Sequence, residues 1–138
     1  MQKDAFSRDY VAGFFDGEGC IIVGRSRPPF RRRNIRYQLA VSLANKHRAC
    51  LLWLKETFGG TVGAPHTSGV SYWQLNGNKA LVFLQWISSA LVVKRPQAEL
   101  AMEFQITKTT HHPLTSEELA FREHFFVALQ EEKKAIHG

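Results

Sequence analysis

The chain reads as an α+β protein: a four-stranded antiparallel sheet with helices covering its back, in the order helix, hairpin, helix, hairpin, helices. Three observations carry this reading. Tyr37, Leu39, Val41 and Leu43 alternate strictly with Arg36, Gln38, Ala40 and Ser42, which is the period of a half-buried strand. Apolar stripes at helical spacing stand on either side of it, at Tyr10, Val11, Phe14 and Phe15 and at Leu51, Leu54 and Phe58. Pairs of breakers, Pro28-Pro29 and Gly59-Gly60, divide the segments.

Taken in order, Ser7 is placed to cap a first helix that must stop near Gly17-Glu18-Gly19. Cys20 to Arg27 then reads as a strand. Pro28-Pro29 and the Arg31–Arg33 run form a basic turn, because neither proline can donate to a ladder. The alternating strand follows, completing a first hairpin. Asn45 is expected to cap a second helix, which Gly59-Gly60 ends. Residues 61–66 and 70–76 form a second hairpin turning near Thr67-Ser68-Gly69. In its latter strand Trp73 and Leu75 share one face, and Tyr72 and Gln74 the other. Residues 78–91 make a third helix, and Pro96 opens a fourth running to about Thr107. Thr115-Ser116-Glu117-Glu118 is a capping box before an amphipathic C-terminal helix carrying Leu119, Phe125, Phe126 and Leu129. With no repeat and no low-complexity linker, residues 1–138 are expected to form one domain.

Composition narrows the classes. A content of 44% hydrophobic and 12% aromatic residues excludes a disordered chain. No apolar run approaches the roughly 20 residues of a membrane-spanning helix. Met1-Gln2-Lys3-Asp4 leads into no hydrophobic signal core, so an intracellular protein is expected. Cys20 and Cys50 have neither a disulfide framework nor metal-ligand spacing, and both are expected to be small core residues. The six histidines show no paired spacing for zinc.

Charge is more informative. The net charge is +6, but residues 19–98 hold twelve basic side chains against the single acid Glu56, a net +11. Residues 1–18 carry −2 and residues 99–138 carry −3. A segment so one-sided cannot neutralise itself, and phosphate is its natural counter-charge. A merely solvated face is the bland alternative. Arg36, Gln38 and Ser42 project from one strand, and Tyr72 and Gln74 from another. Arg25, Ser26, Arg27, Arg31, Arg32, Arg33 and Asn34 extend the first hairpin, and Lys46 follows it. These residues are expected to line an interface with double-stranded DNA. A β-ribbon fits the major groove, and Arg and Gln read base edges bidentately. Which of them read bases and which hold phosphates is not decided by parity.

The nonapeptide Val11-Ala12-Gly13-Phe14-Phe15-Asp16-Gly17-Glu18-Gly19 concentrates the rest. A glycine inside a helix costs about 1 kcal/mol relative to alanine, so Gly13 implies a close backbone approach. Gly13 and Gly17 lie four apart, with Ala12 beside them, as a small-residue surface. Asp16 and Glu18 stand at the helix C-terminus, where the macrodipole disfavours negative charge and a cation is wanted.

This segment resembles the LAGLIDADG motif of homing endonucleases. It departs by Val11 for the first Leu, aromatic Phe14 and Phe15, Gly17, and Glu18 for the second Asp. Residues 37–62, 73–81 and 94–100 resemble the family's second strand, helix and G-G turn, its second hairpin exit, and its basic segment. The resemblance covers about residues 8–107 and leaves 108–138 as a C-terminal helical extension. It implies the αββαββα fold, with a four-stranded saddle lying along DNA.

The resemblance further implies a homodimer, since one chain carries one motif. Val11, Ala12, Gly13, Phe14, Asp16 and Gly17 would then form an isologous contact. The target would be long and near-palindromic, and the reaction double-strand phosphodiester hydrolysis in intron homing. By the same resemblance Glu18 and the Gly17 carbonyl hold a divalent metal, Mg²⁺, with Mn²⁺ able to substitute. Asp16 makes structural hydrogen bonds. Lys94 matches the basic residue near the hydrolytic water, and Asn45 and Arg48 match weaker positions of that pocket. Asn45 could equally be only a helix cap. The alternatives are a catalytically inactive DNA-binding regulator and an RNA maturase acting on its own intron RNA. A generic RNA-binding domain is disfavoured, because the sequence offers no exposed aromatic platform of the kind such domains stack bases on. The expected setting is the compartment of the host gene, bacterial cytoplasm or organelle matrix.

Overall fold

The computed structural model describes residues 6–26, 36–63, 68–108 and 115–137. Helix α1 spans Arg8–Glu18 and passes directly into β1, Gly19–Ser26; β2 is Arg36–Asn45 and α2 is Arg48–Phe58. The second hairpin is β3, Thr61–Val62, and β4, Ser71–Asn76. Then come α3, Gly77–Ile87, a single 3-10 turn over Ser88–Ala90, α4, Arg95–Thr107, and α5, Ser116–His137. The sheet order is β1-β2-β4-β3, and every pair is antiparallel. This is the expected αββαββα order with helices added at its end. Among the described residues no helix is long and apolar enough to cross a membrane.

The local signals act largely as read. The Ser7 hydroxyl accepts from the Tyr10 amide at 3.1 Å, capping α1. Both halves of the Thr115–Glu118 capping box form: the Glu118 amide donates to the Thr115 hydroxyl at 3.1 Å, and the Thr115 amide to the Glu118 carboxylate at 3.0 Å. Asn45 corrects the reading. It ends β2, and its Oδ1 accepts from the His47 amide at 2.8 Å, while α2 starts only at Arg48 with no side-chain cap. The side chain closes a short Asx turn instead of a helix end.

Strand parity sets the two faces of the sheet. Tyr37, Leu39, Val41 and Leu43 of β2, Trp73 and Leu75 of β4, and Ile21 and Val23 of β1 are buried against the helices. Phe83 of α3 is the hub of that core. Its ring meets Phe15, Phe58 and Trp73 edge-on, with centroids 5.4, 5.2 and 5.1 Å away. The Trp73 indole donates to the Gly59 carbonyl at 2.9 Å, so the largest core side chain leaves no orphan polar group. Cys50 is in this core as expected, and burial pushes its thiol up to about 11. Cys20 is not. It lies half-buried on the sheet's other face, opposite Ser42, because its parity is that of Ile22.

Helix α5 packs on α4 through Phe125 against Phe104 and on the back of the first hairpin through Phe126 against Tyr37. Two glycines are demanded by sterics. The Phe15 ring covers Gly19 and occupies the space a Cβ would need, so the helix-to-strand junction is tight. Gly60 has φ +89 and sits with its α-carbon over the Gln74 carbonyl, in line with the close pairing of β3 and β4. Gly60→Ala is expected to lower stability by about 2 kcal/mol or more. Gly63→Ala, with open space at its Cβ, should leave stability unchanged or raise it by up to about 1 kcal/mol. Urea midpoints at unchanged slope measure both.

Candidate active site and nucleic-acid interface

The motif helix α1 has two sides. Val11, Ala12 and Phe15 are fully buried in the chain's own core. The expectation that Val11 and Ala12 form part of a contact between chains is thereby corrected. The free side consists of Gly13 and Gly17, with exposed Tyr10 and half-buried Phe14 at its margin. A Cβ added at Gly13 or Gly17 would meet nothing within 4 Å.

At its C-terminus α1 exchanges charge with the start of α4. Asp16 lays both carboxylate oxygens on backbone amides: Oδ2 accepts from Val92 at 2.7 Å and Oδ1 from Lys94 at 2.9 Å. The Lys94 ammonium returns across the gap and donates to the Asp16 carbonyl at 2.7 Å. A negative group thus meets the N-terminal end of α4, and a cation meets the C-terminal end of α1, each where a helix dipole favours it. The cation that the acidic helix end called for is Lys94. Arg95 fastens the same segment, its guanidinium donating to the carbonyls of Ser88 and Ser89.

Glu18 is the last residue of α1, exposed, with no hydrogen bond or ion pair among the described residues. The carbonyls of the final turn, Gly17 among them, lie beyond the helix's own donors. Asp16 being fully engaged, Glu18 is the motif carboxylate whose oxygens are open. Among the described residues no three His, Cys, Asp or Glu side chains gather into a metal cage. One open carboxylate beside backbone carbonyls suits a hard cation that keeps water and phosphate oxygens as its other ligands. Gly17, Asp16, Glu18 and Lys94 are therefore together. Asn45 and Arg48 follow from the same end of the β1–β2 ladder, where Gly19 pairs with Leu43, but are joined to them by no hydrogen bond among the described residues. The Arg48 Nε there is buried without a partner.

The sheet's open face carries Arg36, Gln38, Ser42, Tyr72, Gln74 and Asn76, with Ile22 and Cys20 between them. Lys46 is exposed just beyond β2. Ser26 closes β1. Arg27, Arg31, Arg32, Arg33 and Asn34 lie outside the described residues, as do His66, His111 and His112. Arg25 corrects the reading of this face. It has the parity of Ile21 and Val23, and it turns to the back of the sheet. There its guanidinium meets Glu123 of α5 at 2.8 and 3.0 Å and lies 4.3 Å over the Phe126 ring. The same carboxylate accepts from the Tyr37 hydroxyl at 2.5 Å. That bond, and then Arg25, hold the Glu123 carboxyl below its usual range. Burial, with Glu123 second, pushes the Tyr37 phenol up to about 12.

A second group escaped notice in the sequence. The Lys108 ammonium is held below its usual range by burial first and then by the like charges of Arg122 and Arg36. These three cations come from α5, the end of α4 and the start of β2, and no local pattern joins them.

These features match known proteins. The model of the LAGLIDADG endonuclease family matches residues 11–89, more than half of the sequence. The chain belongs to the LAGLIDADG endonuclease family. No curated protein matches it significantly. Among solved structures it is similar to the archaeal intron-encoded homing endonuclease I-Vdi141I complexed with DNA, at 20% identity and TM-score 0.77, over 95% of this chain and 86% of that one. It is also similar to the homing endonuclease I-CvuI with its target in the presence of calcium, at 20% identity and TM-score 0.76, over 91% and 80%. The meganuclease I-SmaMI bound to uncleaveable DNA gives TM-score 0.77 at 12% identity, over 94% of this chain but 46% of that one.

The exchange at the helix ends carries a direct expectation. Asp16→Asn can accept at one oxygen but turns an NH₂ group toward the other amide. It should cost about 1–3 kcal/mol in urea unfolding. Equal stability would show that the two amides are satisfied without it.

Proposed function

We propose that this chain is a sequence-specific, divalent-metal-dependent endonuclease of double-stranded DNA. It works as a homodimer on a long near-palindromic target, in intron homing. One observation carries the reading: an open carboxylate, Glu18, and a half-buried lysine, Lys94, are brought to the same helix end from positions 76 residues apart. The family and the DNA-bound state of I-Vdi141I and I-CvuI support DNA as the substrate.

Glu18 and the Gly17 carbonyl are the residues that would hold the ion, with Mg²⁺ expected and Mn²⁺ able to replace it. When bound, the ion supplies positive charge to the scissile phosphate and lowers the pKa of a water. Asp16 keeps Lys94 at the edge of this site, and the Lys94 ammonium provides fixed positive charge where the reacting phosphate gains negative charge. Arg36, Gln38, Ser42, Tyr72 and Gln74 face the duplex, where Arg and Gln can read base edges. Lys46 and the arginines of residues 27–33 hold phosphates. Asn45, which would order water, and Arg48, which would add positive charge, are assigned the pocket beside the same ladder end. The protein acts inside the cell, on the genome that carries its gene.

The dimer follows from α1. Gly13 costs helix stability yet makes room for nothing in its own chain, so the approach it permits comes from outside. A second α1 on a two-fold axis satisfies this and brings two Glu18 side chains near one another. I-SmaMI, of which this chain covers 46% at similar architecture, is consistent with two such units working as one.

Glu18→Gln is expected to reduce cleavage of a DNA pool containing the insertion site by about a thousandfold while binding in Ca²⁺ persists. EDTA should abolish cleavage, and undiminished cleavage by the variant would overturn the assignment. Binding without any metal-dependent cleavage by the unmodified protein would instead favour a regulator or maturase. Sedimentation at micromolar concentration should give about twice the 15.7 kDa chain mass. Gly13→Leu should give a folded monomer, since a Cβ at that position meets nothing within 4 Å in its own chain.

A further inference from the structure

The Glu123 carboxylate on α5 holds two side chains that face each other across the β1–β2 ladder. Arg25 and Tyr37 are register partners, and both bonds to Glu123 are made on the helix side of the sheet. Tyr37 lies between Arg36 and Gln38, whose side chains leave the opposite, open face. Because successive residues of a strand point to opposite faces, a clamp on Tyr37 from behind fixes the twist and height of its two neighbours in front. The clamp closes on three sides: a two-point Arg25 contact, the 2.5 Å phenol bond, and Phe126 stacked under the guanidinium and edge-on to the Tyr37 ring. The electrostatics at first look perverse. In a protein that must attract phosphate, an acid neutralises one of the arginines nearest the basic turn.

We propose that Glu123 is a specificity-positioning residue: through Tyr37 and Arg25 it sets, from the back of the sheet, the pose in which Arg36 and Gln38 meet base edges. This rests on the DNA-reading function proposed above. It makes α5, outside the segment matched by the family model, part of the recognition apparatus. It also separates two quantities that simple charge counting would tie together. Glu123→Ala makes the protein more positive, so affinity for unselected DNA should rise. The selectivity among sequences should fall, because the reading side chains lose their fixed pose.

The test uses a duplex pool with randomised positions, bound in Ca²⁺ by the full chain and sequenced. The unmodified protein should enrich one motif. Glu123→Ala should lower that enrichment by about tenfold at the positions read by the first hairpin, the cost of one misplaced base contact. Its binding to the unselected pool should strengthen. Tyr37→Phe should reproduce the loss of selectivity, and Glu123→Asp should restore part of it. Thr115→Ala, which weakens the α5 cap without touching the clamp, should lower stability and leave enrichment unchanged. Enrichment undiminished in folded Glu123→Ala overturns the proposal, and so does an equal loss in Thr115→Ala. Amide exchange without DNA provides a reading independent of function. The ladder amides of residues 24–26 and 36–38 should exchange faster in Glu123→Ala, and unchanged exchange also overturns it. If the unmodified protein enriches no sequence but the exchange rises, it is the DNA-reading function that fails, and the clamp is left as architecture.

Discussion

The exchange between Asp16 and Lys94 is the contact on which the geometry of the site depends. Two helix ends far apart in sequence, each with unsatisfied groups, are closed on one another: carboxylate to amides in one direction, ammonium to carbonyl in the other. Neither end would be satisfied by its own chain neighbours. The same contact stands at the start of α4, which Pro96 opens and which packs on α5 behind the sheet. Glu18 remains open because Asp16, two residues earlier, takes up the local donors.

The sheet shows a second economy, in which one strand serves two purposes by parity. The inward residues of β2 build the core around Phe83, and its outward residues present Arg36, Gln38 and Ser42. At the outer end the inward position changes character. Tyr37 is still buried by its ring, but its hydroxyl reaches Glu123, so the core there is finished by a charged bond instead of an aliphatic contact. That is why the C-terminal helix, whose segment is acidic overall, docks behind the most basic part of the chain.

Much of this was legible beforehand where the determining physics is local. Ser7, Thr115 and Glu118 cap as their spacing says, the alternation over 36–43 yields both faces of β2, and Gly59-Gly60 ends α2. The nonapeptide also announced a family, and the family announced the fold. What was not legible is what depends on tertiary partners. Asn45 has a capping residue's chemistry but sits at the end of a strand, and nothing nearby in sequence distinguishes the two uses. Val11 and Ala12 belong to the motif, yet which side of a short helix is inward depends on what packs there. Arg25 looked like its neighbouring arginines until its parity with Ile21 and Val23 was joined to a glutamate 98 positions away. The reciprocal bonds of Asp16 could be anticipated only as a need for a cation, not as the particular lysine and amides that meet it.

The junction beneath the Phe15 ring has a consequence for how such chains can diverge. Helix α1 ends at Glu18 and β1 begins at Gly19 with no intervening residue, and the ring leaves no room there. One residue inserted at that joint would turn the acid by about 100° around the helix axis or shift every β1 side chain to the other face. Length variation among descendants of this sequence should therefore be nearly absent at 18–19. The step from carboxylate to strand is inherited as a unit.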